Sequence, residues 1–274
     1  MQKVLANAGF GSRREIEGWI KEGLVKINGK SAKLGDRVTG EDLVQVGNRQ
    51  VRIDRISDIE RRVIVYNKPE GEIVTRHDPE KRPTAFRNLP KLKASGRWIA
   101  VGRLDINSSG LMLFTTDGEL ANRLMHPSKA VEREYAVRVL GNITQDMLKT
   151  LVTGVELEDG PARFEDVVES GGEGANRWFH LVIMEGRNRE VRRMWEAIGA
   201  KVNRLKRVRY GPVMLGERLH VGKSRDLDQK EMAELLAMVG LEPPATKAAR
   251  PGDNSKQRPT SRKSAKPKGR KRPH

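Results

Sequence analysis

Asp105 stands two residues after Arg103 in the run Gly102-Arg103-Leu104-Asp105-Ile106-Asn107-Ser108-Ser109-Gly110-Leu111-Met112-Leu113-Phe114-Thr115-Thr116-Asp117-Gly118. The preceding Trp98-Ile99-Ala100-Val101 is apolar, and two-residue alternation puts Ile99, Val101, Arg103 and Asp105 on one face of a strand. A hydrophobic face therefore turns charged at its edge. A carboxylate there is costly unless it has a cation, solvent or a chemical task, and the tasks open to it are nucleophilic attack and proton abstraction. The same residues also read as a strand end opening a turn, since Asn107-Ser108-Ser109-Gly110 is turn chemistry.

A cation for Asp105 can be sought on the segment Asn188 to Ile198. Helical spacing gathers Val191, Met194, Trp195 and Ile198 on one stripe and sets Arg189, Arg193 and Glu196 opposite. Arg192 lies on the border, where it can bury its stem and still deliver a guanidinium to a partly enclosed acid. Arg189 and Arg193 read as a solvated basic face, with phosphate contact as the functional alternative. Tyr135 alternates with Val137 and Val139 in a strand pattern, and Leu205 sits in another; taken alone, both are ordinary core positions.

Other chemistries lack their residues. With no cysteine and five histidines that show no metal-ligand spacing, no metal site is expected. Gly171-Gly172-Glu173-Gly174 lacks the Lys-Ser/Thr of a phosphate-binding loop and reads as a turn. No redox or nucleotide cofactor is expected either.

The charge balance points to a polyanion. Among 274 residues the formal net charge is +17, with a pI near 10.3, so binding through counterion release is expected. Between residues 247 and 274 eleven lysines and arginines stand against Asp253 alone. No apolar run approaches the roughly 20 residues of a membrane span. A cytoplasmic protein, free of membrane and disulfides and acting as a monomer, is the expectation.

Three regions are expected to position these residues. Residues 1–55 read as a compact unit of two helices and a short antiparallel sheet. Ser12-Arg13-Arg14-Glu15 is a capping box, Ile16, Trp19 and Ile20 follow at helical spacing, and Asn28-Gly29 marks a hairpin. Residues 51 to 61 look like a linker. Between 61 and 240, strand-like runs at 98–104, 111–116, 132–140, 178–185 and 202–210 mix with helical ones at 119–125, 144–152 and 188–198. That order suggests an α+β domain on a largely antiparallel mixed sheet. Residues 241–274, almost without apolar side chains, read as a disordered basic tail.

The contiguous stretch from Gly102 to Gly118 closely resembles the active-site segment of the ribosomal pseudouridine synthases, in the branch with a small N-terminal RNA-binding domain. The resemblance implies that Asp105 is the catalytic carboxylate and that Arg103 helps to hold the target nucleotide out of its helix. It further implies that Tyr135 stacks on the flipped uracil, that Arg192 of Glu185-Gly186-Arg187-Asn188-Arg189-Glu190-Val191-Arg192-Arg193 pairs with Asp105 and keeps it ionised, and that Leu205 walls the pocket. Ala8-Gly9, Ser12-Arg13-Arg14, Gly23 to Gly29 and Leu34-Gly35-Asp36-Arg37-Val38 resemble the alpha-L RNA-binding domain, which implies that Arg13, Arg14 and Lys21 face RNA phosphates. Lys68-Pro69 and Arg76-His77-Asp78 are similar to a family segment near the entrance, without a role that can be read from sequence. The implied partner is ribosomal RNA and the implied reaction an isomerisation of uridine without a cofactor. The runs Glu70-Gly71-Glu72, Glu132-Arg133-Glu134-Tyr135 and Glu156 to Pro161 look most like the large-subunit enzymes. A small-subunit enzyme is the alternative, and a non-catalytic ribosome-assembly factor is a third reading that the joint presence of Asp105, Tyr135 and Arg192 argues against.

Overall fold

The computed structural model describes residues 1–52, 61–92 and 96–242. The expected tail from residue 243 onward and the central part of the expected linker, 53–60, lie outside the described residues.

The N-terminal part forms as its residues require. Helices α1 (Gln2–Asn7) and α2 (Arg13–Lys21) precede a four-stranded sheet of β1 (Val25–Ile27), β2 (Lys30–Ser31), β3 (Leu43–Val46) and β4 (Arg49–Arg52). The Ser12 hydroxyl accepts from the Glu15 amide at 3.1 Å, and the Glu15 carboxylate accepts in return from the Ser12 amide, so the capping box closes. Asn28 and Gly29 both adopt positive φ, 49° and 81°, the backbone of a two-residue hairpin between β1 and β2. Leu5, Ile16, Ile20, Val25 and Val44 are the buried centre. Val51 and Arg52, expected in a linker, instead complete β4 by pairing with β3.

The larger part is built on a nine-stranded mixed sheet. Its strands are β5 (Val63–Lys68), β6 (Ile99–Val101), β7 (Ser109–Thr115), β8 (Arg133–Leu140), β11 (Asp166–Glu173), β12 (Asn176–Ile183), β13 (Lys201–Tyr210), β14 (Val213–Met214) and β15 (Ser224–Asp226). The spatial order is β11-β12-β8-β13-β7-β5-β15, with β14 on β13 and β6 on β7. Among the described strand pairs of this sheet only β7–β13 is parallel, so the largely antiparallel expectation holds. A small hairpin, β9 (Val155–Leu157) and β10 (Gly160–Ala162), stands apart from the sheet.

Helices cover both faces. One apolar cluster joins Tyr66, Met112, Phe114, Tyr135, Val137, Leu205 and Phe179 to α4 (Gln145–Thr153) and α5 (Glu190–Ala197) through Leu148, Leu151, Met194 and Trp195. The other joins Val63, Val65, Leu111 and Leu113 to α3 (Gly118–Met125) and α6 (Gln229–Met238) through Leu120, Leu124, Leu235 and Leu236. Alternate residues of β7 thus feed opposite cores, as a strand buried on both faces must.

Several expected boundaries move. The Gly171–Gly174 stretch is not simply a turn: Gly171 and Gly172 belong to β11 and pair with Trp178 and Arg177. A Cβ on Gly172 would lie 2.5 Å from the Asn176 carbonyl, so the close strand approach requires glycine there. Helix α5 begins at Glu190, because Arg189 takes a left-handed φ of 48° and cannot be part of it. Arg192, Val191, Met194 and Trp195 are buried on it.

Candidate active site

The expected strand through residues 98–104 ends early. β6 stops at Val101, and Gly102 follows with φ +75°, a left-handed conformation that disfavours any residue with a Cβ. Arg103 and Asp105 therefore do not continue the Ile99–Val101 face. They lie on a loop whose Leu104 dips into the core, and the Ser108 amide donates to the Asp105 carbonyl at 3.0 Å. Asp105 does open a turn, and the turn presents it to a cleft.

That cleft, of about 1210 Å³, is lined by Arg103, Leu104, Asp105 and Ser108 on one side and by Asn188, Arg189 and Val191 on another. It is larger than the roughly 300–1,000 Å³ of a small-molecule site, room enough for more than a single base. Tyr135, Leu205 and Arg207 also line it. Tyr135 is 8% exposed, and its hydroxyl has no protein partner among the described residues. Leu205 pairs across with Val137, two positions on from the Arg207–Tyr135 pair and so on the same face. An apolar floor with an aromatic ring thus lies below a charged mouth.

The Asp105 turn is held from behind by two cations. Lys68, at the end of the wholly buried β5, has no exposure and spends its Nζ on three carbonyls: Ser108 at 2.7 Å, Pro69 at 2.9 Å and Asp105 at 3.1 Å. Burial pushes its ammonium down to about 8, against the opposing pull of Glu72, Asp105 and Glu70. Arg192 donates from Nη2 to the Asn107 carbonyl at 2.8 Å and from Nη1 to the Val202 carbonyl at 2.9 Å. It ties the same turn to β13.

This corrects the expected pairing. Arg192 makes no ion pair with Asp105, because both of its terminal nitrogens are committed to carbonyls and its Nε is buried without a partner. Burial lowers its affinity for a proton, the neighbouring Arg189 lowers it further, and Asp105, Glu70 and Glu196 oppose both. Asp105 itself has neither hydrogen bond nor ion pair on its carboxylate among the described residues. Arg103 and Arg189 likewise carry none, and both are exposed at the mouth.

Arg193 departs from its expected solvated state. It grips Asp159 in a two-pronged pair at 2.8 and 2.9 Å, and Arg187 joins Asp159 at 3.1 Å and the buried Glu190 at 2.9 Å. This network clamps the β9–β10 hairpin to the start of α5.

Three contributors were not legible as such: Lys68, Arg207 and Glu190. The signal for Lys68 was a lysine ending a continuous apolar strand before proline, which a solvated lysine does not do. Arg207 is 2% exposed and donates to the Leu111 carbonyl at 2.7 Å. Its backbone explains a glycine: a Cβ on Gly110, whose φ is +99°, would sit 2.2 Å from the Arg207 carbonyl. The parallel contact of β7 with β13, which brings the Asp105 turn over Tyr135 and Leu205, demands Gly110.

Arg13, Arg14 and Lys21 are exposed on α2, away from the cleft lining. Among the described residues no group of His, Asp or Glu is placed to hold a metal ion, and no helix is long and apolar enough to cross a membrane.

Comparison with known proteins adds to this geometry. Residues 62–197 match the family described as RNA pseudouridylate synthase, and residues 2–44 match the S4 domain. The chain is 55% identical over 268 residues to a ribosomal large subunit pseudouridine synthase B of Pseudomonas aeruginosa, covering 97% of this chain and 69% of that protein. It is also 55% identical over 245 residues to the protein of that name in Escherichia coli strain K12, covering 89% of this chain and 84% of the relative. A solved structure described as a pseudouridylate synthase superposes with a TM-score of 0.60 at 28% identity, over 85% of this chain and 98% of that one.

Proposed function

The chain belongs to the RNA pseudouridylate synthase family, and from that premise we propose that it isomerises a uridine of large-subunit ribosomal RNA to pseudouridine, acting in the cytoplasm. Residues 1–55 serve as the RNA-binding domain and residues 61–240 as the catalytic one. The reaction breaks the bond between uracil N1 and ribose C1′ and makes one between C5 and C1′, with the C5 proton released and N1 protonated.

The observation that carries the site assignment is the unpaired Asp105 carboxylate, on a pinned turn, at the mouth of a cleft floored by Tyr135 and Leu205. Asp105 starts glycosidic cleavage, by attack at the ribose or by removal of a ribose proton. Tyr135 stacks on the flipped uracil; such stacking is worth roughly 1–3 kcal/mol, which offsets part of the unstacking cost of a flipped base. Its hydroxyl, or water, relays the C5 proton to solvent. Leu205 walls the base, and Arg103 holds the backbone of the extruded nucleotide. Arg192 acts as a positioning residue, aiming the Asp105 turn through the Asn107 carbonyl rather than by contact with the carboxylate. Arg13, Arg14 and Lys21 supply phosphate contacts outside the cleft.

Mapping pseudouridine in large-subunit RNA from cells lacking the protein tests the activity. One missing modification, restored by the wild-type chain and not by Asp105→Asn, is the expected result. An unchanged map overturns the reading.

A further inference from the structure

About half of the described arginines of the larger part are matched to carboxylates. Arg61 pairs with Asp117, Arg62 with Asp226, Arg123 with Glu119 and Arg225 with Glu231. At the seam between the N-terminal part and the cleft the pattern reverses. Arg13, Arg76 and Arg97 have no ion pair among the described residues. Yet they are neighbours: Arg13 and Arg97 repel one another, and so do Arg97 and Arg76, each repulsion adding to the effect of burial in weakening the proton affinity of the partly buried members.

The seam is a packed one. A Cβ on Gly9 would lie 3.4 Å from the Gly96 carbonyl, and Lys3 reaches Glu119 at 2.9 Å. Arg97 donates from Nη1 to the Gly11 carbonyl at 2.9 Å, and among the described residues neither its buried Nε nor its Nη2 has a partner. Arg76 stacks at 4.8 Å on the Phe86 ring and donates to the Trp98 carbonyl, which fixes its guanidinium beside Arg97. Both Arg76 and Arg97 line the cleft that also holds Arg103 and Asp105. The one carboxylate that attracts Arg97, Glu15, is committed to the α2 capping box and forms no ion pair with it, so three like charges keep a positive surplus that costs free energy in the isolated chain. An arriving anion recovers it.

We infer that Arg13, Arg97 and Arg76 form a phosphodiester seat at the seam, which carries one RNA strand from α2 to the mouth of the cleft. The inference rests on the RNA substrate proposed above. It assigns Arg97 a double role, joining the two parts through Gly11 and binding backbone phosphate through its free edge. Guanidinium suits this because its donors lie in one planar fork that matches phosphate oxygens. The seat fixes the distance between the N-terminal contact and the flipped base, and so selects RNA whose fold spans it.

The test is salt-dependent binding of the full-length protein to protein-free large-subunit ribosomal RNA, with single-turnover isomerisation on the same RNA. Arg13→Gln and Arg97→Gln should each flatten the plot of log affinity against log salt by about 0.7–0.9. Each should weaken binding on the order of tenfold at low salt. Arg97→Lys should restore most of the slope. Arg225→Gln, whose guanidinium is committed to Glu231, should leave it unchanged. The Arg13 side chain makes no protein hydrogen bond among the described residues, so its effect does not come from loosening the seam. Unchanged slopes in both Gln variants overturn the seat even while the wild type makes pseudouridine. A wild type that binds with the expected slopes and leaves uridine unmodified overturns the isomerase reading and keeps the seat.

Discussion

Two charged regions border α5, and they are built on opposite rules. At the Asp159 corner every ion has a partner: Arg193 and Arg187 hold Asp159, and Arg187 holds the buried Glu190, whose carboxylate also accepts from the Arg187 amide at 2.8 Å. At the mouth of the cleft, Asp105, Arg103 and Arg189 have no partner, and the cations nearest the turn, Lys68 and Arg192, bond to its carbonyls rather than to its carboxylate. Satisfied charges position backbone. Charges left open face what the protein binds, because a side chain already neutralised by its own fold has less to offer a substrate.

The sharpest break of that contrast is Asp105→Asn. It is isosteric and removes no protein contact, so thermal stability and RNA affinity should stay near wild type while single-turnover isomerisation falls by more than tenfold, and by far more if Asp105 is the nucleophile. A variant that keeps over a tenth of the rate sinks the catalytic assignment.

Lys68→Met should rank next. Three buried carbonyls are left without their donor, at a cost of roughly 1–3 kcal/mol for an unmet buried polar group, and the turn that aims Asp105 is released. Both the denaturation midpoint and the rate should drop; a fall in rate alone would mean that Lys68 touches substrate. Its pH behaviour separates the two effects. With the folded ammonium lowered to about 8 from the usual 10.5, folded and unfolded chains are both protonated below about pH 8. Between those values the unfolded chain binds more protons, so this group makes folding more favourable as pH climbs. The neutral amine has only two N–H donors for three carbonyls. Activity should therefore decline above about pH 8 without a matching decline in midpoint, and a profile that stays flat to pH 10 contradicts this.

Arg192→Ala should cost less rate than Asp105→Asn but measurable stability, about 1–3 kcal/mol for the Asn107 and Val202 carbonyls it leaves unmet. An equal drop in rate in the two variants would restore a direct role at the acid.

The Asp159 corner should show the reverse signature. Asp159→Asn should lower the midpoint and leave the rate at saturating RNA intact. Hydrogen bonds from Arg193, helped by the charges of Arg193 and Arg187, hold the Asp159 carboxyl below its usual 3.8. Its contribution is complete above that value and disappears as pH falls through the lowered one; the Asn variant should lack this part of the acid-induced loss of stability. Smallest of all should be removal of residues 247–274, which carries off cations without an apolar set. It should flatten the salt dependence of RNA binding by about 0.7–0.9 for each phosphate that the tail neutralises and leave the midpoint unchanged.

Much of this protein follows from local chemistry. Ser12 and Glu15 cap α2, Asn28-Gly29 turns its hairpin, and two-residue alternation puts Tyr135, Val137 and Val139 on one buried face of β8. These signals are legible because each depends on neighbours within a few residues, and the run from Gly102 to Gly118 is specific enough to single out Asp105. What Asp105 touches is another matter. Whether Arg192 meets its carboxylate or the Asn107 carbonyl depends on a contact across 85 positions, and the same periodicity fits both. Lys68 reaches the Asp105 turn across 37 positions and Arg207 reaches Leu111 across 96. Arg193 reads as solvated until Asp159, 34 residues away, comes beside it. A charged residue carries no local mark of whether it will be matched, because a counter-ion is supplied by whichever strand or loop packs against it, and only the tertiary arrangement decides which charges remain open to RNA.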